Sequence, residues 1–170
     1  MKSRTENPAV ALPGVLAALQ QLSAAAEQAG LPRTVVMLVE LRASQINGCA
    51  VCLDMHSREL WAAGETDERI ATVAAWRETP YFTDAERAAL ALTEAVTRLA
   101  DRPDPVGDEV WAEAARHYDE RALGALVLAI GQINLWNRLN VSTRQITGEW
   151  VSQWVRGAQE VASAVPLTTC

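Results

Sequence analysis

Apolar residues recur at intervals of three and four almost throughout this chain, and that period leaves little room for anything but packed helices. Alanine and leucine dominate and β-branched runs are few, so local propensity agrees with the pattern. Breakers punctuate it at helix-length intervals. A first helix is expected from Pro13 to just before Gly30, and a second from Pro32 through Val36, Val39 and Leu41 to the Asn47-Gly48 pair. A third begins near Cys49 and ends at Gly64, a glycine placed to follow the last turn. Thr66 or Asp67 caps a short fourth helix carrying Ile70, Val73 and Trp76, which Pro80 closes. Thr83 and Glu86 stand at capping-box spacing and start a fifth that runs to about Ala100. After a turn at Asp101-Arg102-Pro103-Asp104-Pro105, helices are expected at 107–118, 120–139 and 143–161. Leu123, Leu126, Val127, Ile130 and Ile133 mark the second of these as the most buried. The fold class that follows is all-α.

At 170 residues, with no repeat, linker or low-complexity tract, residues 1–170 are expected to form a single domain. The net charge of -6 and the lack of a basic stripe argue against nucleic acid and against an anionic membrane surface as partners. No apolar run approaches the roughly 20 residues that span a bilayer. Met1 to Leu12 lacks the apolar core of a signal peptide, so a cytoplasmic protein is expected. Three cysteines make no disulfide framework. Two stand close together, and Cys170, the last residue, is given no role.

The close pair carries the chemistry. Cys49 and Cys52 lie at i and i+3 of one helical face, and His56 follows Cys52 by four on the same side. At a helix start, unpaired N–H groups and the helix dipole favour a thiolate, the reactive form of cysteine. His56 can take the thiol proton and return it. These parts make a dithiol/disulfide centre with its own base, and such a centre requires no metal and no organic cofactor. Two other readings fit the same residues. Cys49, Cys52 and His56 are acceptable zinc ligands, but a structural site wants four and the other histidine, His117, is far along the chain. An inert packed pair is the third possibility. Met55 and Trp61 are expected in the core, while Trp111, Trp150 and Trp154 suit a subunit interface.

The run from Arg42 to His56, a Ser-Gln-Ile-Asn-Gly lead followed by Cys-x-x-Cys-x-x-x-His, resembles the core motif of AhpD-like proteins of the carboxymuconolactone decarboxylase superfamily. Ala62 to Thr66, Trp76 to Pro80, Asp84 to Leu90 and Ile133 to Asn140 continue the resemblance, which covers residues 30–146. It implies an AhpD-like helical fold with the cysteine pair at a helix N-terminus, and homo-oligomers, a trimer or a dimer-built hexamer. The implied activity is a thiol peroxidase in antioxidant defence. Cys52 attacks the peroxide and becomes a sulfenic acid, and Cys49 resolves it to a disulfide. A dithiol donor, a lipoylated protein or a thioredoxin-like one, then reduces that disulfide. His56 matches the proton relay. The relay glutamate of the best-studied peroxidases falls on Met37, and the histidine before their second cysteine falls on Val51. Glu40, three residues after Met37 near the same helical face, is the candidate replacement. A general thiol–disulfide oxidoreductase or redox sensor is the alternative. The superfamily's lactone decarboxylase branch lacks the cysteine pair that this chain has.

Overall fold

The computed structural model describes residues 1–101, 103–153 and 155–156, and among these every regular element is helical. Trp154, Cys170 and the expected helix beyond residue 156 lie outside the described residues. The order is α1 (Pro8–Ala11), α2 (Val15–Glu27), α3 (Arg33–Asn47), α4 (Ala50–Ala62), α5 (Asp67–Thr72), a 3₁₀ segment (Val73–Glu78), α6 (Asp84–Thr97), a 3₁₀ turn (Leu99–Asp101), α7 (Asp108–His117) and α8 (Glu120–Thr143). A short helical stretch follows at 149–153.

Helix α3 is the pivot, packing against α4, α6 and α8, while α2 lies on α8 and α7 on α6. Its residues divide among three apolar clusters. Val35 and Val39 meet Leu92, Leu126 and Ile130, whereas Met37, Leu38 and Leu41 meet Leu60, Val73 and Leu90. Ala43 joins Cys49, Val51, Cys52, Ile133 and Val151. Leu60, Leu90, Leu126 and Ile130 have no exposure at all. Trimming any of them to alanine would cost roughly 2–5 kcal/mol through the cavity left behind.

Local chemistry sets the boundaries that place the site. The Thr83 capping box forms, with Thr83 Oγ1 accepting from Glu86 N and Glu86 returning to Thr83 N. Pro32 caps α3, and Gly48 ends it at φ 66°, a left-handed conformation that glycine adopts without steric cost. One residue later Cys49 caps α4. The two helices that carry the reactive groups therefore meet at a single joint.

Four expectations need correction. The first long helix starts at Val15 rather than Pro13, because Gly14 at φ 81° forms a turn, and the short α1 precedes it under an Asn7 cap. The fourth helix is only α5, since Ala75 leaves helical geometry and the chain to Glu78 tightens into 3₁₀ turns. Helix α8 does not stop at residue 139: its polar end is satisfied in place, with Thr143 Oγ1 bonded to Leu139 O, and Arg144 at φ 53° terminates it. Trp61 is no core residue, being 69% exposed, because it points away from the face that buries Leu60 and His56.

Candidate active site

Cys49 sits outside the first turn of α4 with extended backbone, and its Sγ accepts the Cys52 N–H at 3.4 Å as a side-chain cap. The two sulfurs lie 2.7 Å apart as free thiols. The hydrogen bond between the two sulfurs, aided by the Cys52 N–H and the amides of Asn140 and Asn137, outweighs burial and lowers the Cys49 pKa to about 6. The same bond, together with burial and the nearby Cys49 charge, pushes Cys52 up. The first charge on the pair therefore rests on Cys49. Access is opposite: Cys49 has no exposure, whereas Cys52 lines a cavity of about 950 Å³.

One turn along the same face, His56 Nδ1 lies 2.8 Å from Glu59 Oε2 and 3.4 Å from Glu40 Oε2. Packing of α3 on α4 brings Glu40 across. Burial opposes the imidazolium, but Glu40, Glu59 and the Cys49 sulfur outweigh it and hold the His56 pKa above the ordinary value. For Glu40, burial dominates and raises its pKa, against the pull of His56. The group thus stores a proton between an imidazole and carboxylates beside the dithiol. Met37, 3% exposed, lines the same cavity one turn before Glu40.

Glu40, His56 and Glu59 are also the one trio among the described residues whose metal-ligating atoms gather within 4.8 Å of one another. Cys49, Cys52 and His56 do not converge in this way, which removes the geometric basis for the zinc reading of those three. Glu59 was missed in the sequence, although it stands three residues after His56 on the same helix, the spacing at which side chains meet.

Helix α8 supplies amides to the other flank. Asn47 Nδ2 donates to Asn134 Oδ1 at 2.9 Å and to Asn137 Oδ1 at 2.8 Å, and Asn137 Nδ2 donates to Ser44 Oγ at 3.0 Å. This lattice locks the end of α3 to α8 and fixes the α4 start between them. Asn140 Nδ2 donates to Cys52 Sγ at 3.3 Å. Asn140 lies 88 residues from that sulfur, and no local pattern announces the contact. Away from this polar end the cavity wall is mostly apolar, with Leu16, Leu19, Val36, Met37, Ile133 and Trp136, and is broken by Gln20, Gln132 and the Glu27–Arg33 pair.

The profile of the carboxymuconolactone decarboxylase family matches residues 13–95, a span that includes Glu40, Cys49, Cys52, His56 and Glu59. The uncharacterized protein YdfG of Bacillus subtilis (strain 168) is 40% identical over 116 residues, 68% of this chain and 78% of its own length. The uncharacterized protein YnjA of Escherichia coli (strain K12) is 35% identical over 103 residues, 61% of this chain and 55% of its own. Among solved structures, an Agrobacterium tumefaciens protein of unknown function, provisionally assigned to AhpD-type antioxidant defence, superposes with a TM-score of 0.80 at 35% identity. That superposition covers 86% of this chain and 99% of the other. The debrominase Bmp8 bound to 2,3,4-tribromopyrrole shares the fold alone, with a TM-score of 0.73 at 19% identity over 88% of this chain and 78% of its own.

Proposed function

The chain belongs to the carboxymuconolactone decarboxylase family, and from that premise we propose that it is a thiol-dependent peroxidase reducing hydroperoxides through a Cys49/Cys52 dithiol. One observation carries the reading: a closely paired dithiol stands beside an imidazole–carboxylate group on the wall of a large, mostly apolar cavity, with Cys52 the sulfur that faces it.

Cys52 is the nucleophile by access. Its proton crosses the 2.7 Å to Cys49, which shifts the thiolate to Cys52. The Cys52 sulfur attacks the terminal peroxide oxygen, the O–O bond breaks, and the alkoxide leaves with a proton from His56. Cys52 is then a sulfenic acid, oxidised by two electrons. Cys49 attacks that sulfur, the S–O bond breaks, and water leaves as the disulfide forms. A dithiol donor, lipoylated or thioredoxin-like, reduces it by two exchange steps. Glu40 and Glu59 hold the imidazole and return its proton. The working form is a homo-oligomer, a trimer or hexamer, in the cytoplasm. Among the described residues no helix is long and apolar enough to cross a membrane.

Stopped-flow consumption of cumene hydroperoxide with dihydrolipoamide as donor tests this. Turnover should vanish in Cys52→Ser and stop after one sulfenate in Cys49→Ser. Consumption that survives replacement of both cysteines would overturn the reading.

A second reading, a general thiol–disulfide oxidoreductase or redox sensor, is favoured by the resting charge on Cys49, since exchange begins from a thiolate. The complete burial of that sulfur weighs against it. Reduction of a small model disulfide faster than peroxide is reduced would decide for it.

A further inference from the structure

The charge and the access of the dithiol fall on different sulfurs, so something must favour negative charge on Cys52 when it reacts. We propose that Asn140, held in one orientation by Asn7, is the hydrogen-bond donor that stabilises the Cys52 thiolate, and that Asn7 is the positioning residue of the pair.

The argument starts from a donor whose identity is not open to choice. Backbone Ala9 N–H can only donate, and it donates to Asn7 Oδ1 at 2.9 Å as the cap of α1. The Asn7 amide is thereby fixed, with its Nδ2 pointing at Asn140 Oδ1, 2.7 Å away. A donor there fixes the Asn140 amide in turn, and its Nδ2 faces Cys52 Sγ at 3.3 Å. Without Asn7, either end of the Asn140 amide could face the sulfur. A carbonyl oxygen there would repel the thiolate that the N–H stabilises.

The surroundings hold this chain of bonds in place. Asn140 is 7% exposed and sits in the last turns of α8. The segment bearing Asn7 is tied to the same helix end: Arg4 N donates to Thr143 O at 2.9 Å and Arg4 Nη1 to Ser142 O at 3.0 Å. Gln145 Nε2 donates to Thr5 O at 2.9 Å. The titratable groups lining the cavity are Cys52, His56 and Glu59 of α4, Glu40 and Arg33 of α3, Glu27 of α2, and Lys2 and Glu6 of the N-terminal segment, with Cys49 buried behind Cys52, while α8 lines it with uncharged side chains alone. Asn140 and Asn137 are the α8 amides that act on Cys52, both without adding charge, and Asn140 makes the direct hydrogen bond to its sulfur while Asn137 Nδ2 also donates to Ser44 Oγ. Both residues lie outside the span matched by the family profile.

This inference rests on the dithiol reading of the site, and its test does not need peroxide. In a Cys49→Ser, Cys170→Ser background, where the serine at position 49 keeps the α4 cap and Cys52 is the one remaining thiol, Cys52 is titrated by ultraviolet thiolate absorbance and by iodoacetamide alkylation. Asn7→Asp preserves the acceptor for Ala9 N–H but removes the donor to Asn140. The expected result is a higher Cys52 titration midpoint and alkylation slowed about tenfold, the scale of one hydrogen bond to a charged group. Asn140→Asp should slow it at least as much. Asn7→Ser, which keeps a cap but cannot reach Asn140, should give a smaller shift in the same direction. It also supplies the test if Asn7→Asp folds poorly. A lowered melting temperature with an unchanged midpoint and rate would mean that Asn7 only anchors the segment, and would overturn the proposal. Failure of the peroxidase reading shows separately, as absent hydroperoxide consumption by the otherwise reactive wild-type protein.

Discussion

Glu94 of α6 and Glu40 of α3 are both largely shielded glutamates, and their surroundings push them in opposite directions. Glu94 accepts from Arg42 Nε at 2.8 Å, Trp76 Nε1 at 3.0 Å and Arg77 Nη1 at 2.8 Å. Burial raises its pKa, but those three partners outweigh burial and leave it below the ordinary carboxyl value. Glu40 meets one imidazole already claimed by Glu59, burial wins, and its pKa rises. Saturating a buried carboxylate with donors makes a strut, and leaving it short of donors makes a proton store. The same residue type serves as scaffold or as chemistry according to how many cations surround it.

The largest effect that tests this contrast is Glu94→Ala. It leaves the Arg42 guanidinium, 12% exposed, and Trp76 Nε1 without their acceptor. Urea unfolding should show a loss of about 3–5 kcal/mol, with peroxide turnover per folded molecule unchanged. Glu40→Gln should do the reverse: turnover slower by about 10²-fold, with stability equal to wild type or higher. If Glu40→Gln unfolds the protein while Glu94→Ala spares it, the contrast is wrong.

Acid sharpens the comparison further. The Glu94 pKa is depressed, so its contribution is present above the unfolded carboxyl pKa and is lost as pH falls through the lower folded value. The Glu40 pKa is raised, so folding is favoured below the unfolded value and that advantage disappears as pH rises through the folded one. The stability deficit of Glu94→Gln relative to wild type should therefore shrink in acid. Any stability gain of Glu40→Gln should appear near neutrality and fade in acid. Denaturation midpoints across that range check both signs. The smallest effect expected is from Met37→Glu in the Glu40→Gln background, which returns a carboxylate to the cavity wall one turn away. It should recover turnover by only about threefold, within the scale of a displaced acid–base group. Full recovery would show that the position of the carboxylate matters little.

What the sequence made legible follows from distance along the chain. Cys49, Cys52, His56 and the Gly48 joint were readable because helical spacing alone places them on one face. Glu40 was readable in part, since its side of α3 followed from the pattern while its approach to His56 depended on how α3 packs on α4. Glu59 left a signal in its spacing that went unused. Asn140 stood in the Ile133–Asn140 stretch of the resemblance, but its bond to Asn7, 133 residues away, left no signal, because a hydrogen bond between distant segments has no period. Trp61 and the end of α8 misled for a related reason. A large apolar residue and a polar run were taken at face value, whereas the helix turns the first outward and gives the second partners inside.

The joint at Gly48 has a consequence for how this fold can change. Only Gly48 and the capping Cys49 separate the α3 that brings Glu40 from the α4 that brings Cys52 and the imidazole. Each added or deleted residue there would rotate one helix by about 100° relative to the other. Length variation at this hinge would swing Cys52 off the cavity wall while every helix still formed. A length change at this short joint would therefore disturb the site more than one in the longer connection between α6 and α7, which lies away from the sulfurs.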